Sequence, residues 1–146
     1  MVRSFVVRIY RAACIPEPSV APGKYIIQEV KDMARSTEQV LQHHSEALAG
    51  GDSRALMEDY AADAVLLTVD GAHVGTAAIA GFFANMQSAL PNAKLSATGY
   101  RVHGDFALVA WKADSDVATI PYGVDTFVIH DDKIRLQTVW STGVRK

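Results

Sequence analysis

The sequence predicts an α+β domain. Two observations of order carry this. Apolar residues recur at helical spacing from Val40 to Met86, interrupted by one short β-branched run, and strand-like segments separated by turn signals follow to Trp140. The third observation is bulk. The chain has 146 residues, 49% hydrophobic and 21% charged, enough apolar material for one ordinary core.

The elements follow in order. Ser36 or Thr37 can cap the first helix, with Glu38 and Gln39 in its first turn. Val40, Leu41, His44, Ala47 and Leu48 then share a face. Gly50-Gly51-Asp52 stops that helix, and Asp52 or Ser53 caps a short second one with Leu56, Met57 and Tyr60 as its apolar face. Residues 65–69 read as a strand ended by Asp70-Gly71. Gly75-Thr76 begins a third helix that buries Ile79, Phe82, Phe83 and Met86, and Pro91-Asn92 ends it. Strands are expected over 95–103 and 106–113 around Gly104-Asp105. Residues 114–121 read as a loop, and 123–129 with 134–140 as a hairpin around His130-Asp131-Asp132-Lys133.

The chain divides into an N-terminal extension with a Pro-rich linker, 1–33, and a domain, 34–146. The break is Pro-Glu-Pro-Ser-Val-Ala-Pro-Gly at 16–23, which sustains neither a helix nor a central strand. Arg8 and Arg11 interrupt any secretory apolar run near the start. A transit peptide, or an extra strand from Phe5-Val6-Val7-Arg8-Ile9-Tyr10, remain as readings of that stretch. Cys14 is the only cysteine, so an internal disulfide and a Cys-rich zinc site are excluded. A net charge of −2 argues against nucleic acid as a partner. No apolar run approaches the roughly 20 residues that span a bilayer. A cytoplasmic chain with no membrane partner is expected.

Local strings add a resemblance. Ala47-Leu48-Ala49-Gly50-Gly51-Asp52, Tyr60-Ala61-Ala62-Asp63-Ala64-Val65, Gly75-Thr76-Ala77-Ala78-Ile79 with Phe82-Phe83-Ala84-Asn85, and Asp125-Thr126-Phe127 with 133–137 stand in this order. Over 34 to about 142 the chain resembles the nuclear transport factor 2-like superfamily, which contains ketosteroid isomerases and SnoaL-like polyketide cyclases. The resemblance implies a cone: a curved antiparallel (mixed) sheet wrapped around three helices, with a hollow for a small apolar molecule. It also implies a homodimer through the sheet face. It does not fix a reaction.

Asp125 is the first site candidate. Alternation places it with Phe127 and Ile129 on one face of an apolar strand. By resemblance this position is the oxyanion-hole acid of ketosteroid isomerases, kept neutral by its apolar surroundings. An acid satisfied by nearby backbone or side chains reads equally well. Gln137 faces Asp125 if the hairpin has a three-residue loop with a bulge at Asp132, and then Ile134, Leu136, Thr138 and Trp140 point to the convex side. A two-residue loop presents Thr138 instead. His44 matches the oxyanion-hole tyrosine by resemblance and could shuttle a proton with Asp125. A satisfied core histidine is the plainer alternative. Thr68 stands where the resemblance puts the general base, and threonine cannot abstract a proton there, so the ketosteroid isomerase mechanism is not expected. An Asp–Arg–Asp set facing inward is not visible either.

Tyr60, Phe83, Met86, Trp111 and Phe127, with Thr68 and Gln137, are the candidate ligand-binding residues, although such residues most often simply fill a core. His43-x-x-Glu46 lacks a third metal ligand. No phosphate loop or nucleophile elbow occurs, and neither a metal nor a cofactor is expected. Two functions remain. One is cofactor-independent acid/base catalysis of the isomerase, cyclase or dehydratase kind on a small apolar molecule. The other is a non-catalytic ligand-binding or dimerisation module.

Overall fold

The computed structural model describes residues 34–146. Helices α1 (Thr37–Gly50) and α2 (Ser53–Glu58) lead into strands β1 (Tyr60–Thr68) and β2 (Gly71–Val74). Helix α3 (Thr76–Ala89) follows, then β3 (Lys94–His103), β4 (Phe106–Asp114), β5 (Ala118–His130) and β6 (Lys133–Arg145). The strands form one six-stranded sheet in the order β2-β1-β6-β5-β4-β3. Strands β1 and β6 run parallel, and the other neighbours are antiparallel. This is the mixed-sheet α+β architecture the sequence predicts.

Local chemistry sets the helix ends. Ser36 Oγ accepts the Gln39 N–H at 3.2 Å, and Gln39 Oε1 accepts the Ser36 N–H at 2.8 Å, a reciprocal capping box. Gly51 closes α1 at φ 68, a left-handed conformation that suits glycine. Asp52 then caps α2 by accepting the Ala55 N–H at 3.0 Å.

The sheet bends where its registers shift. The β3–β4 pairing skips between Ala97 and Gly99, β4–β5 between Trp111 and Ala113, and β5–β6 between Thr119 and Tyr122. These shifts lie side by side, and each adds local twist. Pro121 falls within one of them, where its missing N–H breaks no ladder. The curved inner face meets the helices in one core, built around Val40, Leu41, Leu56, Leu66, Ile79, Phe83, Phe127, Ile129 and Ile134.

Several expectations need correction. Tyr60 opens β1 instead of closing the second helix, because α2 stops at Glu58. The expected loop over 114–121 shrinks to 115–117, since β5 begins at Ala118 and pairs with Asp114 through Thr119. The hairpin takes the two-residue loop: His130 pairs with Lys133, and Asp131 and Asp132 have φ 51 and 65. A further register shift between Val128 and Ile129 leaves Asp125 opposite Val139 and Phe127 opposite Gln137. Neither expected register therefore survives whole. The same shift separates Ile134, which is fully buried, from Leu136, Thr138 and Trp140 beyond it. Ile134 is therefore not on the convex side. The readings of 1–33 lie outside the described residues. Among the described residues, no helix is long and apolar enough to cross a membrane.

Candidate functional site

Strand alternation and one register shift bring four side chains of the inner face together. The half-buried Asp125 carboxylate accepts the Trp111 indole N–H on Oδ1 at 2.8 Å and a Gln137 amide N–H on Oδ2 at 2.9 Å. The Gln137 Oε1 in turn accepts the Tyr60 hydroxyl. Tyr60 and Gln137 are both buried. With the tyrosine donating to the amide oxygen, the amide N–H turns toward the carboxylate, so each bond orients the next. Burial pushes the Asp125 carboxyl up to about 6, against the downward pull of its two donors. Burial also pushes the Tyr60 hydroxyl above its ordinary range, reinforced by the charges of Asp125 and Asp59.

Trp111 reaches Asp125 because of Gly123. The two residues pair directly across β4 and β5. A Cβ on Gly123 would lie 2.3 Å from the indole, so only glycine lets the ring lie on this strand. The indole then extends diagonally to the carboxylate two residues along β5. A glycine inside an apolar strand is a sequence signal of close approach, but it does not say what approaches.

His44 is buried and boxed by rings. Its centroid is 5.7 Å from Tyr60, 6.1 Å from Phe83 and 5.5 Å from Phe127, all edge-on. Among the described residues, its Nδ1 has no hydrogen-bond partner. Burial holds the ring down at about 4, so it is neutral at physiological pH. No hydrogen bond joins it to Asp125 among the described residues; the hydrogen-bonded chain from Asp125 through Gln137 ends at Tyr60, whose ring His44 meets edge-on. Phe83 and Phe127 belong to the core, and Met86 packs against it. The Thr68 hydroxyl is taken up in the β1–β2 turn, accepting the Asp70 N–H at 3.1 Å and donating to the Gly71 carbonyl at 3.4 Å.

A recess of about 270 Å³ opens between the C-terminal ends of α1 and α3 and the inner face of β3 and β4. Leu48, Met86, Leu90, Leu95, Trp111 and Ala113 wall it, with Gln87 and Asn92 as polar edges. Of the candidates, Trp111 and Met86 line this recess. Asp125, Gln137, Tyr60 and His44 are not among its lining residues; Asp125 adjoins it through its hydrogen bond to the Trp111 indole.

A second buried carboxylate gave no sequence signal. Asp59 has a fully buried side chain at the α2–β1 corner. It receives Arg35 Nη1 at 2.8 Å, and its two oxygens lie 2.9 and 2.8 Å from His43 Nδ1. Arg35 Nε reaches the Asp132 carboxylate at 2.6 Å, and its Nη2 donates to the Asp132 carbonyl at 3.1 Å. An Asp–Arg–Asp set thus exists, but it is not the inward-facing set that was not visible in the sequence. It ties the start of α1 to the β5–β6 turn and does not line the recess. The turn carboxylate of Asp132 consequently does more than shape its turn. Among the described residues, no cluster of three His, Cys, Asp or Glu side chains could hold a metal.

Comparison with known proteins gives one family match and a consistent fold. Residues 41–137 match the family model described as a SnoaL-like domain. A solved structure of a candidate polyketide cyclase from Sinorhizobium meliloti is 25% identical, with TM-score 0.62, covering 69% of this chain and 93% of that one. A candidate ketosteroid isomerase from Kribbella flavida is 17% identical, with TM-score 0.65, covering 73% and 77%. TerC, co-crystallised with polyporic acid, is 15% identical, with TM-score 0.63, covering 73% and 91%. No curated protein sequence matches the chain.

Proposed function

This chain belongs to the SnoaL-like domain family, and from that premise we propose that it binds a small apolar molecule and moves a proton on it with Asp125, without a cofactor. One observation carries the reading: a carboxyl held at about 6 is hydrogen-bonded to the Trp111 indole that walls an apolar recess. At neutral pH such a group is mostly ionised yet still a usable base, since proton transfer works best when the catalytic pKa lies near the working pH. Neutral donors from Trp111 and Gln137 position it without fixing its charge. The role is therefore that of a general base which returns the proton as an acid, and it differs from a permanently neutral oxyanion donor.

The experiment is deuterium exchange from heavy water into neutral carbon acids such as small β-diketones. The wild-type chain should accelerate exchange, with the rate rising as pH passes through about 6. Asp125→Asn should lower that rate by about 10²-fold or more. Equal rates for both proteins would leave non-catalytic binding as the better reading. That alternative has its own support, because both oxygens of Asp125 already take donors.

The same reading includes a partner. Phe106, Leu108, Tyr122 and Trp140 are 61%, 43%, 50% and 48% exposed on the outer face of β4, β5 and β6, more apolar surface than isolated side chains explain. A second copy meeting this face would cover it. Sedimentation of the wild-type chain should give a dimer and that of Trp140→Lys a monomer; a monomeric wild type ends this part of the reading.

A further inference from the structure

Trp111 is the wall of the recess and also the donor to Asp125. Asp125 itself is not in the lining, so the indole is the contact between the two. It rests on Gly123, where no side chain holds it from beneath, and a Cβ there would collide with the ring. Among the described residues, no charged side chain lines the recess. We propose that Trp111 is a gate and specificity-determining residue, and that the molecule admitted to Asp125 is neutral and carries an O–H or N–H donor. This rests on the ligand-pocket reading above.

The argument is one of donor replacement. A half-buried carboxylate that loses a hydrogen bond bears the cost of desolvation without compensation. A ligand that displaces the indole must therefore supply a donor of its own to Oδ1. An ether, or a ketone without an enolic O–H such as β-diketones carry, brings only acceptors, and two acceptors facing each other repel. A charged ligand would have to shed its water against leucine, methionine and alanine walls before reaching the carboxylate. Gln137 holds Oδ2 from the other side, so the carboxylate keeps its orientation while the first donor is exchanged.

The test pairs 2-naphthol with 2-methoxynaphthalene, which differ in the donor. Binding is followed by the ¹³C resonance of the Asp125 carboxyl and by the indole N–H signals. The chain has two tryptophans, and Trp111→Phe assigns which signal is which. Both compounds should enter the wild-type recess, but only 2-naphthol should move the carboxyl resonance. Trp111→Phe removes the competing donor and should tighten 2-naphthol by roughly tenfold while leaving the ether unchanged. Gly123→Ala should push the indole off the carboxylate and reproduce that result with the ring retained; should that variant not fold, Trp111→Phe decides by itself. Equal carboxyl responses to the two compounds, or unchanged 2-naphthol affinity in Trp111→Phe, would overturn the gate alone. Failure of both compounds to bind either the wild-type chain or Trp111→Ala would defeat the pocket reading beneath it.

Discussion

Asp59 and Asp125 are both carboxylates drawn into the domain, but Asp59 meets a guanidinium and an imidazole while Asp125 meets only neutral donors. The first arrangement holds a charge in place. The Arg35 fork spans Asp59 and Asp132, so three segments distant in sequence are fastened at one corner. The second arrangement stabilises a charge only in part. It leaves Asp125 close to its point of protonation at neutral pH. Burial alone therefore does not mark a working acid. The sign and charge of its partners decide whether it is a fastening or a proton carrier.

Substitutions at the two sites should have opposite effects. The largest is expected for Asp59→Ala, which leaves the Arg35 guanidinium with Asp132 alone and takes the carboxylate from His43. Losing charged hydrogen bonds on two sides costs about 3 kcal/mol or more, measurable by urea unfolding. A loss under about 1 kcal/mol would place Asp59 among surface ion pairs.

Next is Asp125→Asn. The folded-state pKa is raised, from 3.8 to about 6, so ionisation works against the fold. The stability from this group is complete below the unfolded value and is lost as pH rises through about 6, a swing of roughly 3 kcal/mol at most. The asparagine variant should lack that decline and equal or exceed the wild type in stability at pH 7. Melting curves from pH 4 to 7 check it. Destabilisation at pH 7 like that of Asp59→Ala would erase the distinction between the two acids.

His44 sharpens the contrast from the other direction. Its folded pKa is lowered, from 6.5 to about 4, so its stability contribution is present above the unfolded value and lost as pH falls toward 4. His44→Phe should remove a loss of about 2 kcal/mol between pH 6.5 and 5. It also removes the Nδ1 that has no partner among the described residues. An unchanged acid profile would show that the ring finds a partner in solution.

The smallest effect is expected for Arg35→Lys. Lysine keeps the charge but cannot present the fork that serves Asp59 and Asp132 together. A loss of about 1.5 kcal/mol follows from the missing charged hydrogen bond. Unfolding of Arg35→Lys beside Asp59→Ala separates the geometry of the clamp from its charge.

Much of the fold was legible because its signals are local. Ser36 with Gln39, Gly51 and Asp52 mark helix ends through bonds that span a few residues. The helical faces of α1 and α3 follow from spacing alone. Tyr60 was misread because one aromatic fits a helix face four residues after Leu56 as well as the first position of a strand. The site was legible only in part. Alternation put Asp125 on the inner face. Gln137 was the right partner for an incomplete reason, since a bulge beyond the turn, and not the loop, carries it to the diagonal position.

The sequence by itself determined the α+β class, the order of most elements and the inward acid at 125. Those features depend on the 3.6- and 2-residue periods and on cap and turn chemistry, which neighbours along the chain decide. Tertiary structure alone decided that Gly123 would receive Trp111, that Asp59 would be met by Arg35 and the neighbouring His43, and that Asp132 would close the clamp. Such pairings join residues up to 97 positions apart. They follow from where a bent sheet brings its strands, and no local period encodes the bend.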